Sequence, residues 1–349
     1  YGRLMNGLSS IGVIGAGSWG TTLAQLLAEK GYAVDLWVFE EDLCDIIRRT
    51  RENTFYLPGF KLHENLSPYN DLGRVVANHD LLVMVVQSHV YRIVARQMLS
   101  HLLPGSAIVS ATKGIENETL LTMSGIWKDI LPESADVEVL SLSGPSFAKE
   151  VVQQIPTAVT VAGDRLETAK QVQQVFSTGA FRVYTSLDKL GVELAGALKN
   201  VIAVAAGACD GFGFGHNTRA ALITRGLAEI TRLGVKMGAP PLTFAGLSGI
   251  GDLLLTCTGD LSRNRTVGMQ LGQGRKIQAI LAEMRMVAEG VKTARSVHFL
   301  AERMQVDMPI CEQAYQVLYE DKDPQKAVRE LMDRGLKHEM DLEYPYQVS

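Results

Sequence analysis

The sequence predicts an α/β protein with two parts, a doubly wound sheet followed by an all-helical domain. Three observations support this prediction. Short apolar runs alternate with helical patterns through the first half of the chain, and the first run leads into glycines spaced G-x-G-x-x-G. From Asp188 onward the strand patterns stop and helical patterns continue. We therefore predict one domain over residues 1–187 and a second, all-α domain over residues 188–349.

The glycines directly follow the first strand and open the first helix. The apolar run over 11–14 is a buried strand, and apolar residues recur at helical spacing from Thr21. Between them, Gly15 permits a tight turn, Gly17 lets the backbone approach a pyrophosphate, and Gly20 allows the helix to pack closely on the strand. Strand, glycine turn and helix in this order predict a Rossmann-like domain that binds a dinucleotide.

The end of the second strand bears on which dinucleotide is bound. The strand over 33–39 ends at Glu40, about twenty residues after the last glycine, where an acid contacts the adenosine ribose. The loop holds no arginine for a 2′-phosphate, which favours NAD, and NADP stays open as the alternative. In a second interpretation, Glu40 only stabilises the start of the next helix. Phe39 either stacks on the adenine or belongs to the core.

Further apolar runs predict the rest of the sheet. Those over 81–86, 106–110 and 137–142 are typical of strands covered on both faces, and those over 157–161 and 181–184 extend the sheet. The pattern between the second and third predicted strands, around the Tyr-Leu-Pro-Gly turn, is irregular. Ligands of open parallel sheets bind beyond the carboxyl ends of the strands. Five polar or small residues fall on that side: Ser88, His89, Lys113, Gly144 and Ser146.

Composition and charge argue against several classes of protein. The 349 residues carry a net charge of −4, so no global basic field suggests nucleic acid or an anionic membrane as a partner. We expect no membrane span, because no apolar run reaches about 18 residues, and the N-terminus lacks a signal-peptide pattern. The four cysteines are widely scattered without metal-ligand spacing, so we expect reduced thiols, no metal site and a cytoplasmic location.

Three clusters in the helical domain carry candidate chemistry. Lys199 lies in an otherwise apolar helix, where it either extends to the surface or stays buried with a pKa lowered toward neutrality. The second cluster, over 209–219, contains three alternate glycines and fits a structural or a functional role equally well. In the third, Gly251-Asp252 either caps a helix or belongs to a site. The Ser-Arg-Asn-Arg run over 262–265 is either a solvated turn or a phosphate clamp.

A series of motifs, taken together, is more specific than any one of them. Besides the glycine turn they are Ala111-Thr-Lys113-Gly114, Ser143-Gly-Pro-Ser-Phe-Ala-Lys-Glu150, Gly196-Ala-Leu-Lys199-Asn200-Val-Ile-Ala203, Gly211-Phe-Gly-Phe-Gly215, Gly249-Ile-Gly251-Asp252-Leu and Ser262-Arg-Asn-Arg265. In this order they resemble NAD(P)-dependent glycerol-3-phosphate dehydrogenase. The resemblance extends from about Ile11 to Gly335.

The resemblance implies reversible hydride transfer that interconverts dihydroxyacetone phosphate and sn-glycerol 3-phosphate. In bacterial-type members the product supplies phospholipid synthesis. Lys199 is implied as the general acid/base, Lys113 as the group that polarises the carbonyl, and Asp252 as the partner that holds Lys199. The family and the apolar helices of the second domain together lead us to expect a homodimer.

The resemblance also implies two sets of binding residues. Substrate-binding positions are Lys113, Gly144, Ser146, Lys199, Asp252, Ser262, Arg263 and Asn264. Matching family positions add Ser18, Trp19, Lys113, Ala148, Arg263, Val287 and Glu289 to the cofactor site predicted around Gly15, Gly17, Gly20, Phe39 and Glu40.

Two departures from the family pattern affect these predictions. Gln87 stands where most members carry proline, which leaves the shape of that loop open. The run from Phe39 to Asp42 replaces the arginine or histidine of many bacterial members and is similar to NAD-specific eukaryotic members. The second departure supports the assignment of Glu40 to the ribose.

Two other hypotheses remain. One is a different two-domain dehydrogenase, such as a ketopantoate reductase or a 3-hydroxyacid dehydrogenase, which would bind a carboxylate; the Ser-Arg-Asn-Arg run favours a phosphate instead. The other is an inactive sensor that binds NAD(H) and a protein partner. The presence of Lys113, Lys199 and Asp252 argues against it.

Overall fold

The first half of the chain forms one eight-stranded sheet in a computed structural model that describes residues 8–284, 286–336 and 338–339. The ends of the two predicted domains, 1–7 and 340–349, lie outside the described residues. The strands are β1 (Ser10–Ile14), β2 (Ala33–Trp37), β3 (Leu66–Tyr69), β4 (Leu81–Met84), β5 (Ser106–Ser110), β6 (Val137–Ser143), β7 (Thr157–Ala162) and β8 (Phe181–Ser186).

The sheet is doubly wound, as predicted. Its order is β3-β2-β1-β4-β5-β6-β7-β8, and every neighbouring pair is parallel except β6 and β7. The strand order reverses between β1 and β4, with Ile14 beside Met84 in the register. The carboxyl ends of these two strands therefore flank the crevice in which such sheets bind ligands.

Helices cover both faces of the sheet, and each face has its own apolar core. These helices are α1 (Ser18–Glu29), α2 (Glu41–Thr50), α3 (Leu72–Ala77), α4 (Tyr91–Met98), α5 (Met123–Ile130), α6 (Ala148–Val152) and α7 (Leu166–Phe176). The helices α1, α2 and α7 pack on one face, and α3, α4 and α5 pack on the other. Burial on both faces explains why β4 and β5 are continuous apolar or small-residue runs.

The second half of the described chain is helical. It contains α8 (Lys189–Gly211), α9 (His216–Lys236), α10 (Asp252–Thr258), α11 (Arg263–Gly272), α12 (Ile277–Glu283), α13 (Glu289–Met304), α14 (Pro309–Tyr319) and α15 (Pro324–Met332). A 3-10 turn over Pro241–Ala245 and a π-helical turn over Leu247–Gly251 precede α10. The central helix is α8, which packs against α9, α10, α11 and α13.

By length and composition, α8 is also apolar enough to cross a membrane. However, 89% of its most apolar window is buried inside the protein. The packing of neighbouring helices therefore accounts for its apolar composition.

The stretch predicted as irregular contains one strand and leads into one helix. β3 is a short edge strand, and its proline at position 68 is tolerated there because one side of an edge strand makes no ladder hydrogen bonds. Four residues with a proline among them give too weak a pattern for detection from sequence. α3 is equally short and starts at Asp71, whose side chain accepts a hydrogen bond from the amide of Arg74.

Candidate active site

The glycine turn lies at the switch point between β1 and β4. Gly15 adopts φ of +113°, in the left-handed region that favours glycine. A β-carbon on Gly20 would lie 1.9 Å from the carbonyl oxygen of Gly15, so only glycine lets α1 approach the turn this closely. A β-carbon on Gly17, in contrast, would meet no atom within 4 Å. The space in front of the helix start is therefore open.

The start of α1 has the chemistry that a pyrophosphate needs. Gly17 is the N-cap and makes no side-chain hydrogen bond, and the first turn carries no acidic residue. Backbone amides at such a helix start attract an anion. Within the described part of the chain, the buried indole nitrogen of Trp19 has no hydrogen-bond partner, while its ring lies 6.5 Å from that of Phe181. The residues present thus fit a dinucleotide.

Two further predicted cofactor residues border α1. The Ser18 hydroxyl donates to the carbonyl of Tyr56 at 2.5 Å and lies 3.5 Å from the sulfur of Met286. The carbonyl of Ala148, where α6 begins, accepts a hydrogen bond from the Thr22 hydroxyl at 3.3 Å. Ser18 thus lies directly after the glycine turn and Ala148 contacts the first half of α1. Their contact with a cofactor stays a prediction.

The end of β2 presents an aromatic ring and a carboxylate. Phe39 is 74% exposed, so its assignment to the core is wrong and the adenine assignment stays a prediction. Glu40 is the N-cap residue of α2, but its side chain makes no capping hydrogen bond. Instead Glu40 Oε1 accepts a hydrogen bond from the Tyr56 hydroxyl at 2.7 Å. The acids in the first turn of α2 are Glu41 and Asp42.

Two lysines from the two halves of the chain meet at one carboxylate. Lys199 Nζ, from the middle of α8, lies 2.5 Å from Asp252 Oδ1. Lys113 Nζ, just beyond β5, lies 2.6 Å from Asp252 Oδ2. Asp252 is 1% exposed and begins α10 directly after the π-helical turn. The structure therefore brings together all three residues predicted as catalytic, with each lysine in contact with Asp252.

Lys199 does not extend to the surface, so that interpretation of its helix is wrong. The residue is 6% exposed. Burial lowers the pKa of Lys199 to about 7, because desolvation and the nearby Lys113 charge outweigh the attraction of Asp252. Protonated and neutral amine are both populated near neutral pH. Lys199 can therefore act as an acid or as a base.

Two polar residues in and next to this cluster have roles that the sequence did not predict. The Thr256 hydroxyl accepts a hydrogen bond from Lys199 Nζ at 2.7 Å and donates to the carbonyl of Asp252 at 2.6 Å. Its position four residues after Asp252 puts both on one face of α10, and that spacing was the available signal. Asn200 Oδ1 accepts a hydrogen bond from Asn264 Nδ2 at 2.8 Å, which joins α8 to α11.

The predicted phosphate clamp lies at the start of α11. Ser262 is the N-cap, and its hydroxyl accepts a hydrogen bond from the Arg265 amide at 3.2 Å. Arg263 is exposed and donates to the carbonyl of Val287 at 3.0 Å. Asn264 is buried, and its Oδ1 accepts a hydrogen bond from the Gly290 amide at 2.9 Å. The run is therefore more than a solvated turn: a guanidinium, a hydroxyl and an amide gather at a helix start, which favours an anion.

The last residue of this run has a structural role. Arg265 donates to Asp210 Oδ2 at 2.7 Å and to Asp260 Oδ1 at 2.8 Å. The other oxygen of Asp210 accepts from Arg219 Nε at 2.9 Å. These ion pairs give Asp210 and Arg219 of the second cluster a structural role, because the two residues bind each other and Asp210 also binds α11.

The loop after β6 reaches the same place from the sheet. Gly144 has φ of +145°, and its carbonyl accepts hydrogen bonds from Lys113 Nζ at 3.3 Å and from the Ser146 hydroxyl at 3.0 Å. Gly144 thus contacts Lys113 directly, and Ser146 shares the same Gly144 carbonyl. Their contact with a substrate stays a prediction.

Glu289 joins the helical domain to the loop after β4. Glu289 lies at the start of α13, and its carboxylate accepts hydrogen bonds from the Ser88 hydroxyl at 2.5 Å and from the Ser88 amide at 3.2 Å. Gln87 precedes Ser88 with φ of −65°, the angle that a proline ring fixes. The backbone angle of Gln87 is therefore one that proline could also adopt at this position.

The four cysteines are free and buried in the structure, which agrees with the thiols expected from sequence.

Comparisons with known proteins agree with this geometry. Residues 10–169 match the model of the NAD-dependent glycerol-3-phosphate dehydrogenase N-terminus, and residues 188–329 match that of the C-terminus. The chain is 71% identical to glycerol-3-phosphate dehydrogenase [NAD(P)+] of Syntrophobacter fumaroxidans, covering 95% of this chain and 98% of the relative. It is 58% identical to the enzyme of the same name from Syntrophotalea carbinolica, covering 95% and 100%.

A solved structure of the same family also matches the fold of this chain. The crystal structure of glycerol-3-phosphate dehydrogenase from Coxiella burnetii superimposes with a TM-score of 0.90 at 38% sequence identity, covering 93% of this chain and 99% of that one. The resemblance found from the motifs is confirmed, and the chain belongs to the NAD-dependent glycerol-3-phosphate dehydrogenase family.

Proposed function

We propose that this protein interconverts dihydroxyacetone phosphate and sn-glycerol 3-phosphate by NAD(P)-dependent hydride transfer, with Lys199 as the general acid/base. One observation carries the proposal. Asp252 bridges Lys199 and Lys113, a lysine from each half of the chain, in a buried cluster. Two curated relatives that match 95% of the chain carry the name of this enzyme, and the two family models match residues 10–169 and 188–329.

Lys199 has the protonation equilibrium that a reversible oxidoreduction requires. Burial lowers its pKa to about 7, so the amine can give a proton to the carbonyl oxygen in reduction and take one from the hydroxyl in oxidation. Hydrogen bonds to Asp252 and Thr256 fix its Nζ. When bound, the nicotinamide supplies or accepts the hydride at carbon 2.

Lys113 supplies positive charge to the same reacting oxygen. Its Nζ is held by the carboxylate of Asp252 and the carbonyl of Gly144. Because Asp252 is a single anion between two lysine side chains, the cluster favours negative charge that develops on the substrate oxygen. Asp252 thus positions both amines and also accepts a hydrogen bond from a substrate hydroxyl in this proposal.

In this proposal the substrate phosphate is bound by residues away from the reacting carbon. We assign it to the start of α11, where Ser262, Arg263 and Asn264 lie, with Gly144 and Ser146 contributing from the sheet domain. Binding an inert phosphate orients the carbonyl beside Lys199 and Lys113, and remote binding energy of this kind lowers the barrier at the reacting centre. A ketopantoate-type substrate carries a carboxylate and no phosphate, so it would not present to Arg263 and the start of α11 the dianion that we assign there.

We assign the cofactor to the glycine turn and its surroundings. The amides from Gly15 to Gly20 hold the pyrophosphate, Phe39 and Glu40 face the adenosine, and Arg263, Val287 and Glu289 approach from the helical domain. The carboxylate of Glu40 favours NAD over NADP because it would repel a 2′-phosphate. The remaining positions in this assignment are Ser18, Trp19, Lys113 and Ala148.

The test is oxidation of NADH by the purified protein with three substrates: dihydroxyacetone phosphate, ketopantoate and succinic semialdehyde. Turnover with the first and background rates with the others support the proposal. A preference for either carboxylate identifies a different dehydrogenase. Binding of NADH without turnover on any of the three supports the sensor hypothesis instead.

We also propose that the product supplies phospholipid synthesis and that the protein is a homodimer. Depleting the protein should then reduce the flow of labelled dihydroxyacetone phosphate carbon into lipid glycerol. Exposed apolar side chains of the helical domain, such as Leu242 and Leu254, support self-association. Light scattering should give twice the 38.0 kDa chain mass, and a monomer mass would refute the homodimer.

A further inference from the structure

We propose that Tyr56 is a specificity-determining residue, whose hydroxyl fixes the Glu40 carboxylate so that the site discriminates against a 2′-phosphorylated dinucleotide. This inference rests on the proposed cofactor site and names a residue that acts through Glu40. The contact that suggests it is the 2.7 Å hydrogen bond from the Tyr56 hydroxyl to Glu40 Oε1.

Tyr56 is itself fixed to the glycine turn. The side chain of Asn53 is fully buried and donates to the carbonyl of Ala16 and to the Thr21 hydroxyl, both at 2.8 Å. Its own oxygen accepts the Tyr56 amide at 3.0 Å, and the Tyr56 carbonyl accepts the Ser18 hydroxyl. The segment over 53–56 is therefore a rigid link between the proposed pyrophosphate site and the acid at the end of β2.

The hydrogen bond from Tyr56 occupies one oxygen of the Glu40 carboxylate and leaves the other available. Hydrogen bonding to Glu40, followed by burial, raises the pKa of Tyr56 to about 12, so the phenol stays a donor at neutral pH. In the described part of the chain, Glu40 Oε2 accepts no hydrogen bond. This oxygen is left for a ribose hydroxyl. A 2′-phosphate carries about −2 charges and would meet a carboxylate that cannot rotate away.

The arginines around β2 and β3 do not relieve this repulsion, because each has another partner. Arg48 pairs with Asp45 at 2.5 Å, and the Arg51 guanidinium donates to the carbonyl of Leu66 at 2.7 Å. The guanidinium of Arg74 lies over the Tyr69 ring, 4.2 Å from its centroid. Loss of the Tyr56 hydroxyl would free the Glu40 side chain to rotate and would weaken discrimination without adding a cation.

The experiment measures equilibrium binding of two non-reacting probes, ADP-ribose and 2′-phospho-ADP-ribose, by calorimetry. The proteins are the wild type, Tyr56→Phe, Glu40→Gln and the double variant. Tyr319→Phe is the matched control, because its hydroxyl makes one hydrogen bond, to the carbonyl of Val291 in the helical domain. We expect the wild type to prefer ADP-ribose about tenfold or more, and each single variant to lose about fivefold of that ratio. The control should lose none.

The double variant separates positioning from direct contact. If Tyr56 acts through Glu40, adding Tyr56→Phe to Glu40→Gln should change the ratio by less than about twofold. In steady-state assays Tyr56→Phe should lower the KM for NADPH relative to the KM for NADH.

Three outcomes would overturn the proposal. They are no preference in the wild type, an unchanged ratio in Tyr56→Phe, or the same loss in the Glu40→Gln background. The probes do not react, so the binding ratios stand even if dihydroxyacetone phosphate proves not to be a substrate. Such a result would reject the proposed reaction and leave the role of Tyr56 decided by binding alone.

Discussion

Lys199 provides a prediction with a direction and a size. Burial lowers its pKa from 10.5 to about 7, so at pH 7 about half of the molecules hold the neutral amine. An unshifted lysine would be neutral in about 0.03% of molecules at that pH. Burial therefore raises the population of the base about 10³-fold. For glycerol phosphate oxidation this is a gain of about three orders of magnitude in the population of enzyme that holds the base.

The two directions of the reaction should respond oppositely to pH. Reduction needs protonated Lys199, so its kcat/KM should fall about tenfold per pH unit above pH 7. Oxidation needs the neutral amine, so its kcat/KM should rise through pH 7 and then level off. Replacing Lys199 with alanine should lower turnover about 10²–10⁴-fold, equivalent to about 3–5 kcal/mol of barrier, and should remove this pH dependence.

The assay follows NADH absorbance in both directions across the pH range, with Lys199→Ala in parallel. Because both proteins see the same ionisation of the substrate phosphate, the ratio of their rates isolates the lysine. Added methylamine should restore part of the activity of Lys199→Ala, since the truncation leaves room for a small amine. Lys236→Ala, which removes an exposed lysine at the end of α9, is the matched control and should behave as the wild type.

Two results would refute this reasoning. The first is an inflection near pH 7 that persists in Lys199→Ala. The second is a loss of NADH affinity as large as the loss of turnover. The latter would place Lys199 in the cofactor site or in the core rather than at the substrate oxygen.

Three other predictions follow from the described contacts. Gly17→Ala should melt at the wild-type temperature and bind NADH about tenfold or more weakly, because its β-carbon would meet no protein atom but would enter the proposed pyrophosphate site. Gly20→Ala should lower the melting temperature, because its β-carbon would lie 1.9 Å from the Gly15 oxygen. Equal melting temperatures of the two variants would contradict this. Arg263→Ala should raise the KM for dihydroxyacetone phosphate about 10–100-fold and affect the slow reduction of unphosphorylated dihydroxyacetone much less; an equal effect on both would mean that Arg263 acts through the cofactor and not through the substrate phosphate. Burial raises the pKa of Glu229 from 4.5 to about 7, so the folded state binds the extra proton between these values. The unfolding free energy of wild type relative to Glu229→Gln should therefore fall by roughly 3 kcal/mol from pH 4.5 to pH 7, measured by urea denaturation, and a rise would reverse the assigned sign.

The sequence was most informative where local geometry permits few residues. The glycine turn and the strand runs on both sides of it predicted the sheet and its crevice, because positive φ and close packing leave little choice at Gly15 and Gly20. The apolar period of α8 likewise predicted a helix. Short elements such as β3 escaped because four residues carry too little periodicity.

The chemical state of single side chains was less accessible. The pattern around Lys199 allowed both a surface and a buried amine, and the choice depended on how α10 and α11 cover α8. The contact between Lys113 and Asp252 joins residues 139 apart in the chain, so no local pattern contains it. The role of Asp210 was equally non-local, since its partners lie on α9 and α11.

The hydrogen bond between Tyr56 and Glu40 shows a third limit. The sequence identified the acid from its distance to the last glycine, but the tyrosine that holds it lies in a loop without regular structure. Only the path of that loop over the glycine turn, fixed by Asn53, brings the two together.

The most direct test of the account is the fate of the transferred hydrogen. NADH carrying two deuterium atoms at carbon 4 of the nicotinamide is incubated with dihydroxyacetone phosphate and the wild-type protein, and the product is analysed by mass spectrometry and NMR. The account predicts sn-glycerol 3-phosphate with one deuterium, bound to carbon 2. Product without deuterium at carbon 2, or no product while ketopantoate is reduced, would contradict it.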